Sequence, residues 1–475
     1  MLDLTVIVAT TLVAVLIMFI IRLSYKQKKC THIPGVEPSD RKEGNLSDIK
    51  KAGSLHEFLL ERHKTYGPII SFWMGEKMTV SISSPELFSE HSSSYDHPPD
   101  LYGLFEPLMG STSMHVSDGD ETRRRKRFYD PCLSHEEVNQ FYPVFNTIVQ
   151  EMIDEWTTLA DGQHINVADH MALIVLKSVT RCNFGDYFSD QKSITTFKNN
   201  YDICWTEMEN VISATPSKPG SPEEKRYKLA LKNLKSVIHE IIANRRKNSP
   251  TDDKWRLIDA ILEANDGDEE SIAGDAMTLL IGGFHTTGFM MTWALYYLAI
   301  HTEVQDRLLN EVSKTFDKDE VMTPDMIAQM PYLQQVVNET LRYSAVAPWA
   351  ARYDKYSDIY LGGYLIPKGT SVIQAFGVCF QDEKLYPQPH KFDPDRFSKE
   401  QVKTRPPHAF EPFGFAGKRK CLGYRFSNYE SYVFLARIVR KFELKIVPGQ
   451  IIRPVYGLVT HPDKDINITI SERKE

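Results

Sequence analysis

EPFGFAGKRKCLG, residues 411–423, is the stretch on which the fold turns. It places one cysteine, Cys421, in a loop rich in glycine and cations. The residues that follow, 422–441, carry Phe426, Tyr429, Val433, Ala436 and Val439 at the spacing of one buried helical face. A cysteine at a helix N-terminus, beside Lys418, Arg419 and Lys420, has the helix dipole and nearby charge favouring its thiolate. Gly414, Gly417 and Gly423 leave room for the backbone to approach a flat partner. A thiolate presented on such a turn to a large planar group suits a haem-thiolate site. A lone cysteine also reads as a small buried hydrophobe, and the loop alone leaves both readings open.

The chain has 475 residues, a formal net charge of -7 and 42% hydrophobic residues, which is ample for a large core and mildly acidic. That balance argues against a nucleic-acid partner. The cysteines, Cys30, Cys132, Cys182, Cys204, Cys379 and Cys421, lack the paired spacing of a disulfide framework or a zinc site. A reducing compartment fits them.

Residues 4–21, LTVIVATTLVAVLIMFII, form an almost unbroken apolar run. As a helix it spans about 27 Å, close to the hydrocarbon thickness of a bilayer. Arg22, Lys26, Lys28 and Lys29 follow it, and only Asp3 precedes it. The positive-inside rule then puts the rest of the chain in the cytosol. A cleaved signal peptide would want a basic n-region and a small-residue cleavage site, and neither is present. The expectation is an N-terminal single transmembrane helix with its basic flank over 1–29, then one catalytic domain over 30–475. The sequons at Asn45, Asn338 and Asn467 would then go unglycosylated.

Beyond the proline-punctuated linker 33–40, helical patterns dominate. Ser54 caps a predicted helix over 54–65. Residues 69–83 alternate as a hairpin about Gly75. Residues 135–159 read as one long amphipathic helix, and 359–372 are β-rich. The expected fold class is mainly α with a small β portion. The longest helical pattern, 273–300, is apolar nearly all round and therefore buried. Its centre reads Gly282-Gly283-Phe284-His285-Thr286-Thr287. Two glycines cost about 2 kcal/mol of helix propensity against alanine. A group packed on the backbone and a close helix–helix contact both account for that cost. Further on, Glu339 and Arg342 share a helical face, and FDPDRF, 392–397, presents Arg396 on a proline turn.

The glycine-threonine break, the Glu-x-x-Arg helix, the Pro-Asp-Arg-Phe turn and the cysteine loop, in that order, resemble a cytochrome P450. The resemblance runs over the chain beyond the apolar run and includes YGPI at 66–69. Residues 44–73 and 389–397 are most similar to the family 20 cytochromes P450. The resemblance implies the cytochrome P450 fold, a haem cofactor and monooxygenase chemistry. It implies Cys421 as the axial thiolate on the iron. Arg352 and Arg419 would bind haem propionates, with Lys126 or Arg127 as a further cation. Phe413, Phe415, Gly417 and Gly423 would shape the loop. Glu339, Arg342 and Arg396 would form a buried ion-pair network bracing it. Thr286 and His285 would be the catalytic pair on the distal side. An apolar substrate pocket would draw on residues 102–109, 201–208, 346–350 and 458–459 and on Phe284.

Three positions depart from the family pattern. Gly414 stands where the family has phenylalanine, seven residues before the cysteine, so the loop reads one residue longer. His285 replaces the acid before the distal threonine; histidine shuttles protons near neutral pH. Thr122 and Lys126 replace a Trp-x-x-x-Arg pair, inside the run RRRKR at 123–127. The surplus charge of that run is either a solvated face or a docking patch for an acidic electron donor.

The implied function is a membrane-anchored monooxygenase of the endoplasmic reticulum that inserts one atom of O2 into a small hydrophobic substrate. The chain holds no flavin or nicotinamide motif, so electrons come from a separate flavoprotein, NADPH-cytochrome P450 reductase, with cytochrome b5 as a second donor. Membrane lipid is a further expected partner. The rival readings are a haem-thiolate isomerase or dehydratase, motivated by His285, and a non-catalytic haem-binding or sensing protein, motivated by the ligand loop.

Overall fold

The computed structural model describes residues 32–159, 162–185, 187–188, 190–212, 215–247, 256–317, 320–414 and 419–473. Six helices position the site: α1 (Gly119–Cys132), α2 (Val167–Asn183), α3 (Gln191–Ile212), α4 (Glu269–Ile300), α5 (Pro331–Ser344) and α6 (Tyr424–Lys441). The longest, α4, starts where Asp268 accepts the N–H groups of Glu270 and Ser271. Its apolar residues point in every direction, and α2, α5 and α6 all pack against it. The family-like pattern of mostly α with a small β portion is the observed fold class.

The β portion is built around β1 (Ile69–Met74), β2 (Lys77–Ile82), β3 (Ala350–Arg352) and β4 (Ser371–Gln374), ordered β1-β2-β4-β3. β1 and β2 are the expected hairpin, turning at Gly75 with φ +61°. β2 runs parallel to β4, with Val80 opposite Val372, and β3 pairs antiparallel with β4, which sets Arg352 opposite Val372. A separate hairpin, β5 (Pro454–Tyr456) with β6 (Thr460–Pro462), is tied to the chain just before β3. There Thr460 donates its N–H to Val346 O at 2.9 Å and its hydroxyl to Ala345 O at 2.7 Å.

Two expectations need correction. The single helix expected over 135–159 is two, His135–Asn139 and Tyr142–Thr157. Pro143 sits in the first turn of the second helix, where it lacks an N–H and restricts the residue before it, so the helix restarts there. The second correction concerns the membrane. Among the described residues no helix is long and apolar enough to cross one. The single transmembrane helix expected of the fold is therefore not found among the described residues, and the membrane-anchored, single-pass topology and endoplasmic reticulum placement that rested on it are not supported. The run at 4–21 lies outside the described residues. The long apolar pattern that is described, in α4, serves a protein core: it opens with Glu269 and Glu270 and is interrupted by Gly282, Gly283, His285, Thr286 and Thr287.

The two glycines in α4 answer to different constraints. A Cβ on Gly283 would lie 2.9 Å from both methyls of Val179 on α2, so this is the close helix contact. A Cβ on Gly282 would meet nothing within 4 Å. Gly283→Ala is expected to lower unfolding stability by about 1–3 kcal/mol through overpacking. Gly282→Ala is expected to raise it by about 1 kcal/mol through helix propensity. Denaturant midpoints of the two variants test this difference in sign.

Candidate functional site

Cys421 lies just ahead of α6, whose N-cap is Gly423. Its backbone N–H donates to Phe413 O at 2.9 Å, which closes the loop on itself. Gly414 takes the turn with φ +75°, a conformation that suits glycine. Phe413 is half-buried, 6.2 Å from the Tyr424 ring. Phe415 and Gly417 lie outside the described residues. A Cβ on Gly423 would meet nothing within 4 Å, so that position is open. Among the described cysteines Cys132, Cys182, Cys204 and Cys379 are buried, whereas Cys421 is exposed. Surrounding protein nevertheless pushes its thiol up, and the Gly423 N–H, Lys126 and Lys420 oppose that push. Cys421 is thus the one exposed cysteine among the described residues, and two lysines and a backbone N–H act on its thiol.

The cations of α1 separate according to where the helix turns them. Arg123 and Arg124 pair with Asp120 and Glu121 at 2.7 Å on the outer face. Arg125 is buried and reaches Asp275 on α4 at 3.0 Å. Lys126 donates to Lys420 O at 2.9 Å, next to Cys421. Arg127 is exposed and lines a surface cleft with Phe128 and Pro131. Of the two candidates for a further haem cation, the structure brings Lys126 to the cysteine loop and turns Arg127 away from it.

Arg419 and Arg352 approach from the other side. Arg419 donates to Met114 O at 3.0 Å and Ser117 O at 3.1 Å, and pairs with Asp118 at 3.0 Å. Arg352 is buried and donates to Ala351 O at 2.6 Å and Tyr102 Oη at 3.3 Å. Among the described residues it forms no ion pair. Both guanidiniums act on His97 and His115, whose imidazoles are driven down by burial first and by these charges second, His115 to about 3. His97 stacks on Tyr102 at 3.8 Å, and its Nδ1 meets His115 O at 2.8 Å. His115 Nε2 is buried without a hydrogen-bond partner among the described residues. A buried guanidinium without a carboxylate and an orphaned imidazole nitrogen beside it call for an anion.

Glu339, Arg342 and Arg396 are brought together. Glu339 is fully buried and receives Arg342 Nε at 2.7 Å and Nη2 at 2.8 Å, with Arg396 Nε at 3.5 Å. Burial raises the Glu339 carboxyl, and Arg342 pulls it back. Arg342 also donates to Phe380 O at 2.9 Å and Pro389 O at 3.0 Å. Tyr386 in that segment donates to Ala409 O at 3.0 Å, and Phe397 packs on Phe410 at 4.5 Å. The network thus reaches the strand of chain that enters the cysteine loop.

On the distal side Gly282 is exposed, and the Thr286 hydroxyl donates to its carbonyl at 3.2 Å. Thr287, the next residue, donates to Ser427 on α6 at 3.0 Å, so this turn of α4 crosses the helix that follows Cys421. His285 turns instead towards α3. Its ring lies 4.1 Å from Trp205, 5.2 Å from Tyr201 and 5.0 Å from Phe289. Burial, with smaller effects from His461 and Lys198, drives its pKa down to about 3. The ring is neutral at pH 7, which removes the charged shuttle expected of it near neutrality.

One functional group escaped the sequence reading. Asp275 is buried in α4 and receives Met114 N–H at 2.6 Å, Tyr129 Oη at 2.5 Å and Arg125 at 3.0 Å. It fixes α1 and the segment carrying His115 and Asp118 against α4. Arg125 and Tyr129 at i, i+4 were visible as one helical face, but no local signal names a partner 150 residues away.

These features fit haem: an exposed cysteine, Lys126 beside its loop, and two guanidiniums, Arg419 and Arg352, of which Arg352 has no ion pair among the described residues. The family model for cytochrome P450 matches residues 42–469. Cytochrome P450 20A1 of Homo sapiens is 31% identical over 476 residues, and that of Rattus norvegicus 31% over 473, each covering all of both chains. Human cytochrome P450 4F11 is 27% identical over 420 residues, 80% of this chain and 78% of that one. Among solved structures, the cytochrome P450DA heme domain superposes with a TM-score of 0.81 at 21% identity, covering 94% of this chain and 98% of that one.

His285 gives this site a pH signature. Its folded pKa of about 3 lies below the unfolded value of 6.5, so unfolding takes up a proton. The stability it contributes is complete above pH 6.5 and is lost as pH falls towards 3. His285→Phe is expected to make the fall in denaturant midpoint between pH 7 and pH 5 shallower than in the native chain. An equally steep fall would place His285 outside the acid response.

Proposed function

The chain belongs to the cytochrome P450 family, and from that premise we propose a haem-thiolate monooxygenase with Cys421 as the axial ligand. Monooxygenase chemistry and a haem cofactor follow from the family; the ligand and the residue roles are the proposal. The observation that carries it is the exposed Cys421, just ahead of α6, with the Gly423 N–H, Lys126 and Lys420 acting on its thiol. A bound haem supplies reductive activation of dioxygen, one atom of which enters the substrate while the other leaves as water.

The chain's own residues do the rest. The Gly423 N–H and the two lysines favour the thiolate against the burial that raises the thiol. Arg352, Arg419 and Lys126 would hold the haem carboxylates, and His115 Nε2 would be placed to add a hydrogen bond to them. Glu339, Arg342 and Arg396 fix the segment that enters the ligand loop. Thr286 would hold a hydroxyl proton on the open face of α4, bonded to Gly282 O, where it would be available as a proton donor. His285 serves as a neutral wall of the pocket. A single catalytic domain spans residues 30–475.

A family member needs an electron donor and a small lipophilic substrate. We assign the donor as NADPH-cytochrome P450 reductase, with cytochrome b5 as a second donor, docking near the exposed Arg127. The aromatic surroundings of α3 and α4 suit a hydrophobic substrate.

Cys421→Ala is expected to abolish the thiolate-type band of the ferrous carbon monoxide complex. An unchanged spectrum removes Cys421 as ligand. In the native protein, product should require reductant and reductase; product without them would favour the isomerase reading that His285 motivates.

A further inference from the structure

Helix α3 places Tyr201, Trp205 and Glu209 four residues apart on one face. The first two pack against His285. The third extends that wall with a carboxylate. Trp205 Nε1–H donates to Glu209 Oε1 at 3.0 Å, and His461 Nε2 on β6 lies 3.6 Å from the same oxygen. The turn joining β5 to β6 is shaped around it: a Cβ on Gly457 would stand 2.9 Å from Glu209 Oε1. Glu209 therefore occupies a seat built by two elements.

The seat lies on the distal side of α4. The His461 ring is 5.8 Å from Phe289, whose own ring packs on His285. Phe289 is three residues beyond Thr286, on the same helical face and about 4.5 Å along the axis. Phe105 lies 6.5 Å from Trp205 and completes the aromatic surround. Glu209 and His461 keep 27% and 26% of their side-chain surface exposed, so an incoming group can reach them.

The charge balance of this seat is incomplete. Among the described residues no lysine or arginine pairs with Glu209; its one basic partner is His461, which is charged only when protonated. Burial accordingly raises the Glu209 carboxyl, with His461 and the Trp205 N–H as the opposing influences. A half-buried carboxylate beside Trp205, at the end of a wall that runs on through Tyr201 and is flanked by Phe105 on Trp205 and Phe289 on His461, is matched by an organic cation, which supplies the missing charge and gains from the ring faces.

We propose that Glu209 is a specificity residue that anchors the cationic nitrogen of a lipophilic amine substrate. This rests on the monooxygenase reading above and names its substrate class. The neutral His285 forms the wall against which the apolar part of such a molecule lies. The alternative role for Glu209 is a latch that fastens α3 to the β5–β6 hairpin.

The test uses the haem-loaded full chain in the ferric state and two probes of one shape. One is 4-phenylbutyltrimethylammonium, which has no lone pair to offer the iron. The other is its uncharged isostere, 5,5-dimethylhexylbenzene. Calorimetry and the haem absorbance shift report binding. The native protein is expected to bind the cation at least about tenfold more tightly than the isostere. Glu209→Gln should remove the preference and leave the isostere affinity unchanged. His461→Lys keeps the carboxylate but gives it a permanent cation, and should remove the preference as well. Equal affinity of the native protein for the two probes overturns the anchor. So does a Glu209→Gln variant that weakens both probes alike, which is the signature of a latch. The two readings fail separately. Charge preference without turnover of either probe under reductant and reductase leaves the anchor and counts against the monooxygenase; turnover of the isostere without charge preference does the reverse.

Discussion

Glu339 is a carboxylate sealed from water, and the position of the cysteine loop depends on how it is answered. Arg342 meets it through two hydrogen bonds, Arg396 adds a third contact, and the Asp393 N–H a fourth at 2.8 Å. Such a pair adds little net stability over a well-packed apolar core, because both charges lose their hydration. Its effect is on position. Removing one partner strands the other at a cost of about 3–5 kcal/mol, so the network tolerates only the arrangement in which α5, the segment around Phe380 and Pro389, and the turn at Arg396 meet. Arg405, stacked between Tyr386 and Phe397, and the Phe397–Phe410 contact carry that fixed geometry towards Cys421.

A second buried carboxylate, Asp275, works in the same way on the opposite flank. It joins α4 to α1 and to the backbone at Met114. The segment it holds presents Ser117 O and Asp118 to Arg419. The two carboxylates thus frame the thiol from both sides, one through the chain that enters its loop and one through the helix that brings Lys126 to it. Arg352 is a buried cation with no ion pair among the described residues, the clearest sign in the fold that an acidic group belongs there.

The distal face follows a different logic. His285 sits in a dry aromatic niche formed by Tyr201, Trp205 and Phe289, where burial keeps the ring neutral. The nearest acid in that wall is Glu209, two turns along α3 from Tyr201, held by Trp205 and the hairpin.

Much of this was legible in the chain alone. Local rules placed the Ser54 cap, the β1–β2 hairpin and the full-length apolar helix, because capping, alternation and 3.6-residue periodicity are properties of neighbouring residues. The order of four motifs was enough for the family. The break before Pro143 was equally local and was missed by reading periodicity over proline. The tertiary structure alone decided which side chain faces which group. Consecutive residues on a helix diverge by about 100°, so RRRKR, uniform as text, splits into two surface pairs, a buried clamp on Asp275, a lysine at the cysteine loop and an exposed arginine at a surface cleft. His285 reads as a proton carrier until its niche is known, and Glu209 as one more surface acid until Trp205, Gly457 and His461 close around it. Desolvation and pairing depend on neighbours distant in sequence, and those exist only once the chain has folded.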